Sequence, residues 1–267
     1  MVLPHPGEQN RDREPPGPGP LAKAAAFPAL LLLLAWVAFL GLLKKLGVPE
    51  GPVHGAYLRS VTLLYAVRLA QEYRFTSGAR ILRKRRGVFP ADISVTTKMM
   101  VGCLRDHPGL VQGKRVLDLG AGTGAIGLAL AGYASLELSD VDPEAVANLV
   151  LNAEAVAPGV KITRSDLFEA IPGLFDTILW NVPYFRASGR RFIRSIHIRD
   201  GELDRFLAQA LAHLAPEGRV LLSYSSLAGV EPLLASAARN GFACQAAAEK
   251  RLHALETLYL YELRAAG

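Results

Sequence analysis

Cysteine is nearly absent from this 267-residue chain: Cys103 and Cys244 are the only two, they form no CxxC pair, and no histidine cluster lies near either. Neither a zinc site nor a disulfide framework is supported, no metal is expected, and a reduced compartment fits. A charge surplus is also missing from most of the chain. From Val88 onward 17 basic side chains stand against 19 acidic ones, and residues 1–43 hold three of each. The formal net charge of +6 therefore comes from residues 44–87, where ten basic side chains face only Glu50 and Glu72. The basicity belongs to a connector and not to the globular part. With 51% hydrophobic residues the chain can bury one substantial domain with an appendage, but not two large enzymatic domains.

The first 23 residues are rich in proline, glycine and charge, which predicts a disordered tail. Residues 24–43 then run uncharged and mostly apolar for twenty positions. At about 1.5 Å per residue this reaches roughly 30 Å, so a transmembrane helix is expected. Pro28 near its start, and Trp36 and Gly41 within it, are compatible with a span. A cleaved signal peptide fits less well, because the preceding segment is long and partly acidic, and a buried helix is the other alternative. Lys44, Lys45 and the later arginines put the positive side C-terminal to the span, so the rest of the chain is expected to face the cytoplasm on a single-pass anchor. Residues 44–87 read as a basic helical connector. Within it residues 56–75 suggest an amphipathic helix with Leu58, Val61, Leu64, Tyr65 and Leu69 near one face. The cluster Arg80, Arg83, Lys84, Arg85 and Arg86 is open to three readings: a solvated linker, contact with anionic lipid, or contact with nucleic acid.

Beyond residue 88 short apolar runs alternate with helical stretches, the pattern of a doubly wound α/β sheet. Strands are expected at 115–119, 135–139, 160–163, 175–180, 219–224, 242–248 and 256–264, with helices at 124–132, 143–155, 201–214 and 230–240. The last two strands are too close for a parallel crossover and predict an antiparallel hairpin.

The first of these strands runs into glycines 120, 122 and 124, with Asp118 two residues before the first. Glycine lets the backbone turn sharply and approach a ligand closely. A lone glycine-rich turn also fits a nicotinamide-dependent reductase, but the DxGxGxG spacing departs from the GxGxxG of dinucleotide sites. It resembles motif I of the class I S-adenosylmethionine-dependent methyltransferases. That resemblance covers residues 88–267 and implies a Rossmann-like seven-stranded sheet closed by the antiparallel hairpin. It also implies S-adenosyl-L-methionine as cofactor, with Gly120, Gly122 and Gly124 on its methionine end and Asp118 ordering the loop or the cofactor's amino group. Asp140, at the end of the next strand and 20 residues past Gly120, suits the ribose hydroxyls, whereas Asp142 before Pro143 reads as a helix N-cap. Asp166 resembles the acidic residue that receives the adenine amine, beside Leu167 or Phe168, and alternatively caps a helix with Glu169. Phe89, Pro90 and Thr96 resemble the segment leading into that cofactor pocket.

At the end of the fourth strand Asn181, Val182, Pro183 and Tyr184 resemble the AsnProProTyr motif of amino-directed methyltransferases, which modify glutamine amides in release factors and ribosomal proteins or the amines of adenine and guanine. The resemblance implies that Asn181, Pro183 and Tyr184 are catalytic, with Asn181 also among the cofactor-binding residues. The Asn181 oxygen and the carbonyl at 182 would take the two N–H groups of a planar nitrogen, aiming its lone pair at the methyl, and Tyr184 would stack on the acceptor. Val182 replaces the first proline of that motif, which opens a loosened or silent site, although Pro183 still biases residue 182 toward an extended backbone. The acceptor stays undecided between protein glutamine and nucleic acid, with a small or lipid-associated molecule and an inactive membrane-tethered module as further alternatives. Arg186, Arg190, Arg191, Arg194 and Arg199 follow within fourteen residues and suit phosphate or an acidic surface, or simply a solvated loop.

Overall fold

The computed structural model describes residues 50–184 and 197–267, together with Ala35, Trp36, Phe39, Leu40, Leu42, Leu43 and Leu46. An N-terminal helix α1 (Glu50–Leu69) leads into a hairpin of β1 (Tyr73–Ser77) and β2 (Arg80–Lys84), and then into α2 (Val95–Asp106). The α/β body follows as β3 (Arg115–Leu119), β4 (Ser135–Asp140), α3 (Pro143–Val156), β5 (Lys161–Arg164), β6 (Phe175–Asn181), α4 (Glu202–Ala210), β7 (Leu214–Ser225), α5 (Val230–Arg239), β8 (Phe242–His253) and β9 (Glu256–Ala265).

Seven strands pair in the order β5, β4, β3, β6, β7, β9, β8. The first five are parallel, whereas β9 runs antiparallel to both β7 and β8. The expected parallel sheet with an antiparallel C-terminal hairpin is therefore present. Val116, Leu117 and Leu119 of β3 are all buried, as a strand covered on both faces requires. The strand order reverses at β3, so a crevice opens at the carboxyl ends of β3, β4 and β6, where ligands of such sheets bind.

Local chemistry explains where elements start and stop. Asp142 caps α3, its carboxylate accepting the Glu144 N–H at 2.9 Å, with Pro143 in the first turn. The helix expected at 124–132 contracts to a 3₁₀ turn, Gly127–Leu130, because Gly124 and Gly132 take positive φ at either side. The helix expected over 201–214 likewise ends at Ala210, in a further 3₁₀ turn.

The helix expected at 56–75 stops at Leu69, and its last residues belong to β1. The Lys84 ammonium is the physical reason. Wholly buried, it donates to the carbonyls of Arg68, Leu69 and Gln71 at 2.7, 2.9 and 2.7 Å, satisfying the C-terminal end of α1 from β2. Alternating exposure along Tyr73–Ser77 and a two-residue Gly78–Ala79 turn then form the hairpin. This hairpin is fused to the body. Leu82 packs with Leu128, Leu138 and Leu149, and the Asn148 and Asn152 amides grip the backbone of Arg83 and Arg85.

Two expectations are corrected. The contact of Arg80, Arg83, Lys84, Arg85 and Arg86 with anionic lipid is not supported: Lys84 is internal, Arg80 donates to the Ala131 carbonyl at 3.1 Å, and Arg85 pairs with Glu144 at 3.6 Å. The single-pass membrane location is overturned as well, since no helix among the described residues is long and apolar enough to cross a membrane. Residues 24–34, and the tail before them, lie outside the described residues. At the far end of the apolar run Leu40 is only 2% exposed and packs with Val53, Tyr57 and Leu255, and Trp36 Nε1 donates to Ser60 Oγ at 3.0 Å. Leu40 is thus covered by protein, whereas Trp36 stays 42% exposed.

Replacing Lys84 with methionine removes a buried donor from three converging carbonyls, those of Arg68, Leu69 and Gln71. Lys84→Met is expected to cost about 3 kcal/mol in urea unfolding, whereas Arg86→Met, an exposed neighbour, should shift the midpoint little.

Candidate functional site

One pocket gathers the sequence motifs. It is lined by the glycine turn 120–122, Asp118, Asp140 and Asp166 on one side, and by Asn181 to Tyr184 with Thr97 on the other. All the residues expected to bind cofactor or acceptor therefore meet, except Gly124, which lies one residue behind the lining residue Thr123. Phe89 and Thr96 line the pocket too, and Pro90 is buried beside it.

Carboxylates build the loop. Asp118, 1% exposed at the end of β3, accepts the Gly127 N–H at 2.7 Å. A side chain at 127 would come 2.9 Å from that same oxygen, so only glycine permits the approach. Asp140 accepts the Gly122 N–H at 2.9 Å on one oxygen and the Asp142 N–H at 3.0 Å on the other. Gly122 holds φ at +58° to present that N–H, a conformation that costs other residues. Each oxygen keeps a further lone pair for a ligand hydroxyl. Burial pushes the Asp118 carboxyl up to about 7, only partly opposed by the Gly127 N–H. Burial also raises Asp140, against the N–H groups of Asp142 and Gly122.

Asp166 does not cap a helix. Its turn is closed instead by Ser165 Oγ, which accepts the Ala170 N–H at 2.9 Å, with Leu167 at φ 51°. The Asp166 carboxylate pairs through Oδ1 with Arg205 of α4 at 2.6 Å, and its residue lines the pocket next to Leu167.

Asn181 ends β6, and its amide is clamped at both ends. Nδ2 donates to Thr97 Oγ1 at 3.2 Å, and Oδ1 accepts Ser223 Oγ at 2.6 Å. Ser223 stands opposite Asn181 in the β6–β7 register. Val182 is buried, and Tyr184 lies 6.4 Å from the Tyr224 ring. Thr97 and Ser223 were not legible as site residues: an isolated threonine in a helical run and a serine in a strand carry no spacing signal. Glu202 and Tyr65 also line the pocket without a motif to mark them. Arg186, Arg190, Arg191 and Arg194 lie outside the described residues.

The donor set tests what such a pocket can hold. Among the described residues its lining includes Asp118, Asp140, Asp142, Asp166 and Glu202 but no lysine or arginine. Thr123 Oγ1, in the loop, is buried without a partner. A pyrophosphate would meet repulsion here, while a cationic ligand bearing hydroxyls and an amine is matched. S-adenosylmethionine, with its sulfonium and ammonium, fits that description.

Comparison with known proteins agrees with this geometry. The family model described as methyltransferase small domain matches residues 79–251. A putative protein N5-glutamine methyltransferase of Methanocaldococcus jannaschii is 33% identical over 152 residues, which is 53% of this chain and 77% of that protein. The release factor glutamine methyltransferase of Salmonella typhimurium is 37% identical over 145 residues, 48% of this chain, and only about half of that relative (52%) is spanned. Among solved structures, a T. thermophilus 16S rRNA N2 methyltransferase in complex with AdoMet and guanosine superposes with a TM-score of 0.57 and 25% identity, over 74% of this chain and 50% of that one.

The Asp118 shift has a stability consequence. Its folded value of about 7 lies above the ordinary 3.8, so the folded chain retains a proton that the unfolded chain releases. That contribution is full below about pH 4 and is lost as pH rises through about 7. Urea unfolding of the ligand-free chain is expected to show wild type losing stability relative to Asp118→Asn across that window, by on the order of 4 kcal/mol.

Proposed function

Because the chain belongs to the methyltransferase small domain family and carries a class I S-adenosylmethionine-dependent methyltransferase domain, we propose that the protein methylates a planar nitrogen, and that its acceptor is a glutamine side-chain amide in a protein. The observation that carries this reading is the clamped Asn181 amide at the mouth of the carboxylate-lined pocket.

We assign roles as follows. Gly120, Gly122 and Gly124 form the backbone turn against the methionine end of the cofactor. Asp118 orders that turn through Gly127, its charge favouring a cationic neighbour. Asp140 takes the ribose hydroxyls, and Asp166 uses its second oxygen for the adenine amine. When bound, S-adenosylmethionine supplies an electrophilic methyl on a sulfonium.

An amide nitrogen is a poor nucleophile because its lone pair is delocalised into the carbonyl. Asn181 addresses this by geometry. Ser223 and Thr97 fix the amide so that its oxygen has one lone pair left to accept an acceptor N–H. The Val182 carbonyl accepts the other, Pro183 holds residue 182 extended, and Tyr184 stacks on the planar group. With both N–H groups held, the nitrogen lone pair points at the methyl. That nitrogen would receive the methyl from the bound cofactor and would then release one N–H proton to water.

Glutamine is preferred because two of the relatives are named for it. A nucleobase amine is the second reading, favoured by the rRNA methyltransferase with bound guanosine. A nicotinamide reductase is opposed by the absence of lysine or arginine among the described pocket residues.

The full chain incubated with tritiated S-adenosylmethionine and cell extract is expected to label a pool destroyed by protease and spared by nuclease. Label in RNA would replace glutamine with a base, and no label in either pool would sink the reading. Asn181→Ala should lose at least about 100-fold in turnover, the scale of removing one transition-state contact, with the cofactor Kd nearly unchanged by calorimetry. Since ionised Asp118 favours a cation, cofactor affinity should rise as pH passes through about 7, and Asp118→Asn should flatten that rise.

A further inference from the structure

The contacts that hold Asn181 continue beyond the pocket wall. Ser223 and Ser225 lie two apart on β7 and so project from one face, and both are buried. Ser223 holds Asn181, while Ser225 Oγ donates to Glu256 Oε1 at 2.7 Å. The other oxygen of Glu256 accepts the Tyr57 hydroxyl of α1. Glu256 is only 4% exposed and is met by two hydroxyls instead of a cation. A buried carboxylate so partnered is costly to keep, and burial duly raises its pKa. Next to it Leu255 packs with Leu40, Val53 and Tyr57, so the tip of the β8–β9 hairpin is the seat on which α1 rests.

About two helical turns after Tyr57 the same helix delivers Tyr65 to the pocket. The Tyr65 ring stacks on Phe89 with centroids 5.4 Å apart and planes 15° from parallel, and Tyr65 lines the pocket together with Ser94. Ser94 Oγ lies 2.9 Å from Thr96 Oγ1, and Thr96 shares the pocket wall with Tyr184. The next residue, Thr97, is the one that receives the Asn181 amide. Glu256 thus connects to the pocket from two directions, along β7 to Asn181 and through α1 to the wall that Tyr65 shares with Tyr184. None of these contacts follows from the sequence motifs.

We propose that Glu256 is a positioning residue of the acceptor site. By holding Tyr57 it fixes the seat of α1, and with it the Tyr65 ring, which stacks on Phe89 and shares the pocket wall with Ser94, Thr96, Asn181 and Tyr184. The inference rests on the planar-nitrogen reading for its catalytic consequence, but the coupling itself is independent of any acceptor.

Four full-length proteins test it: wild type, Glu256→Ala, Glu256→Gln and Tyr57→Phe. Glutamine keeps an acceptor for Tyr57 and a donor for Ser225, so it serves as the rescue. In Glu256→Ala, hydrogen exchange at residues 180–184 and 94–97 is expected to quicken by about tenfold or more as α1 loosens, with the calorimetric Kd for S-adenosylmethionine within about twofold of wild type. Tritium incorporation into extract should fall about tenfold, the scale of a small misplacement, recover in Glu256→Gln, and be intermediate in Tyr57→Phe. Quicker exchange confined to α1, with residues 180–184 unchanged, would make Glu256 a mere structural anchor and overturn the proposal. So would a parallel loss of cofactor binding and turnover, or wild-type incorporation by the alanine variant. If wild type labels nothing, the acceptor reading fails and the exchange measurement still decides the role of Glu256. If the alanine variant does not fold, Tyr57→Phe carries the same comparison.

Discussion

Two carboxylates at the ends of adjacent parallel strands hold this molecule's central loop in place. Asp118 and Asp140 each draw a backbone N–H out of the glycine turn, one from Gly127 and one from Gly122. Burial raises the pKa of both carboxyls, and the neighbouring Asp140 charge adds to the rise at Asp118. The cost is relieved when positive charge arrives. A pocket whose described lining has five acids and no base is thus poised for a cation before any ligand enters, and the rest of the fold serves to hold those strand ends in register.

The acceptor side is built by different means. The groups that meet Asn181 are neutral hydroxyls, and under the proposed reading they would select by direction instead of charge. Asn181 is fixed by one contact from β7 and one from α2, two elements separated widely in sequence and joined only by the sheet. The substitution of valine for proline at 182 is accommodated in the same way. Val182 is packed into the largest hydrophobic cluster, with Trp180 and Phe206, so burial restrains what a second proline ring would otherwise stiffen.

Much of this was legible in the sequence, and the divide has a physical basis. Strands β3, β4 and β6 and helix α3 announce themselves because their signals are local: continuous apolar runs, an aspartate cap, a proline at the first helical position. The glycine turn was legible for the same reason, since the positive φ at residues 120, 122 and 124 leaves little choice of residue. What escaped is non-local. That Lys84 belongs inside, capping a helix fifteen residues upstream, contradicts every rule for a lysine in a basic run and depends on three carbonyls that converge only in the fold. The apolar run before α1 misled through the same blindness, because hydropathy records that Leu40 avoids water without recording that Val53 and Leu255 cover it.

The strand order carries a consequence for how the chain is assembled. β9, the last strand in sequence, lies between β7 and β8 and not at the rim. Until residues 255–265 have been made, β7 has no partner on that side, and α1 lacks both its leucine seat and its glutamate anchor. The sheet, the acceptor wall and the N-terminal helix are therefore completed together by the final strand. A nascent or truncated chain that stops before it presents the bare backbone of β7, a template for pairing with a neighbour. Synthesis of the last strand is thus the step that separates a sticky intermediate from an enzyme.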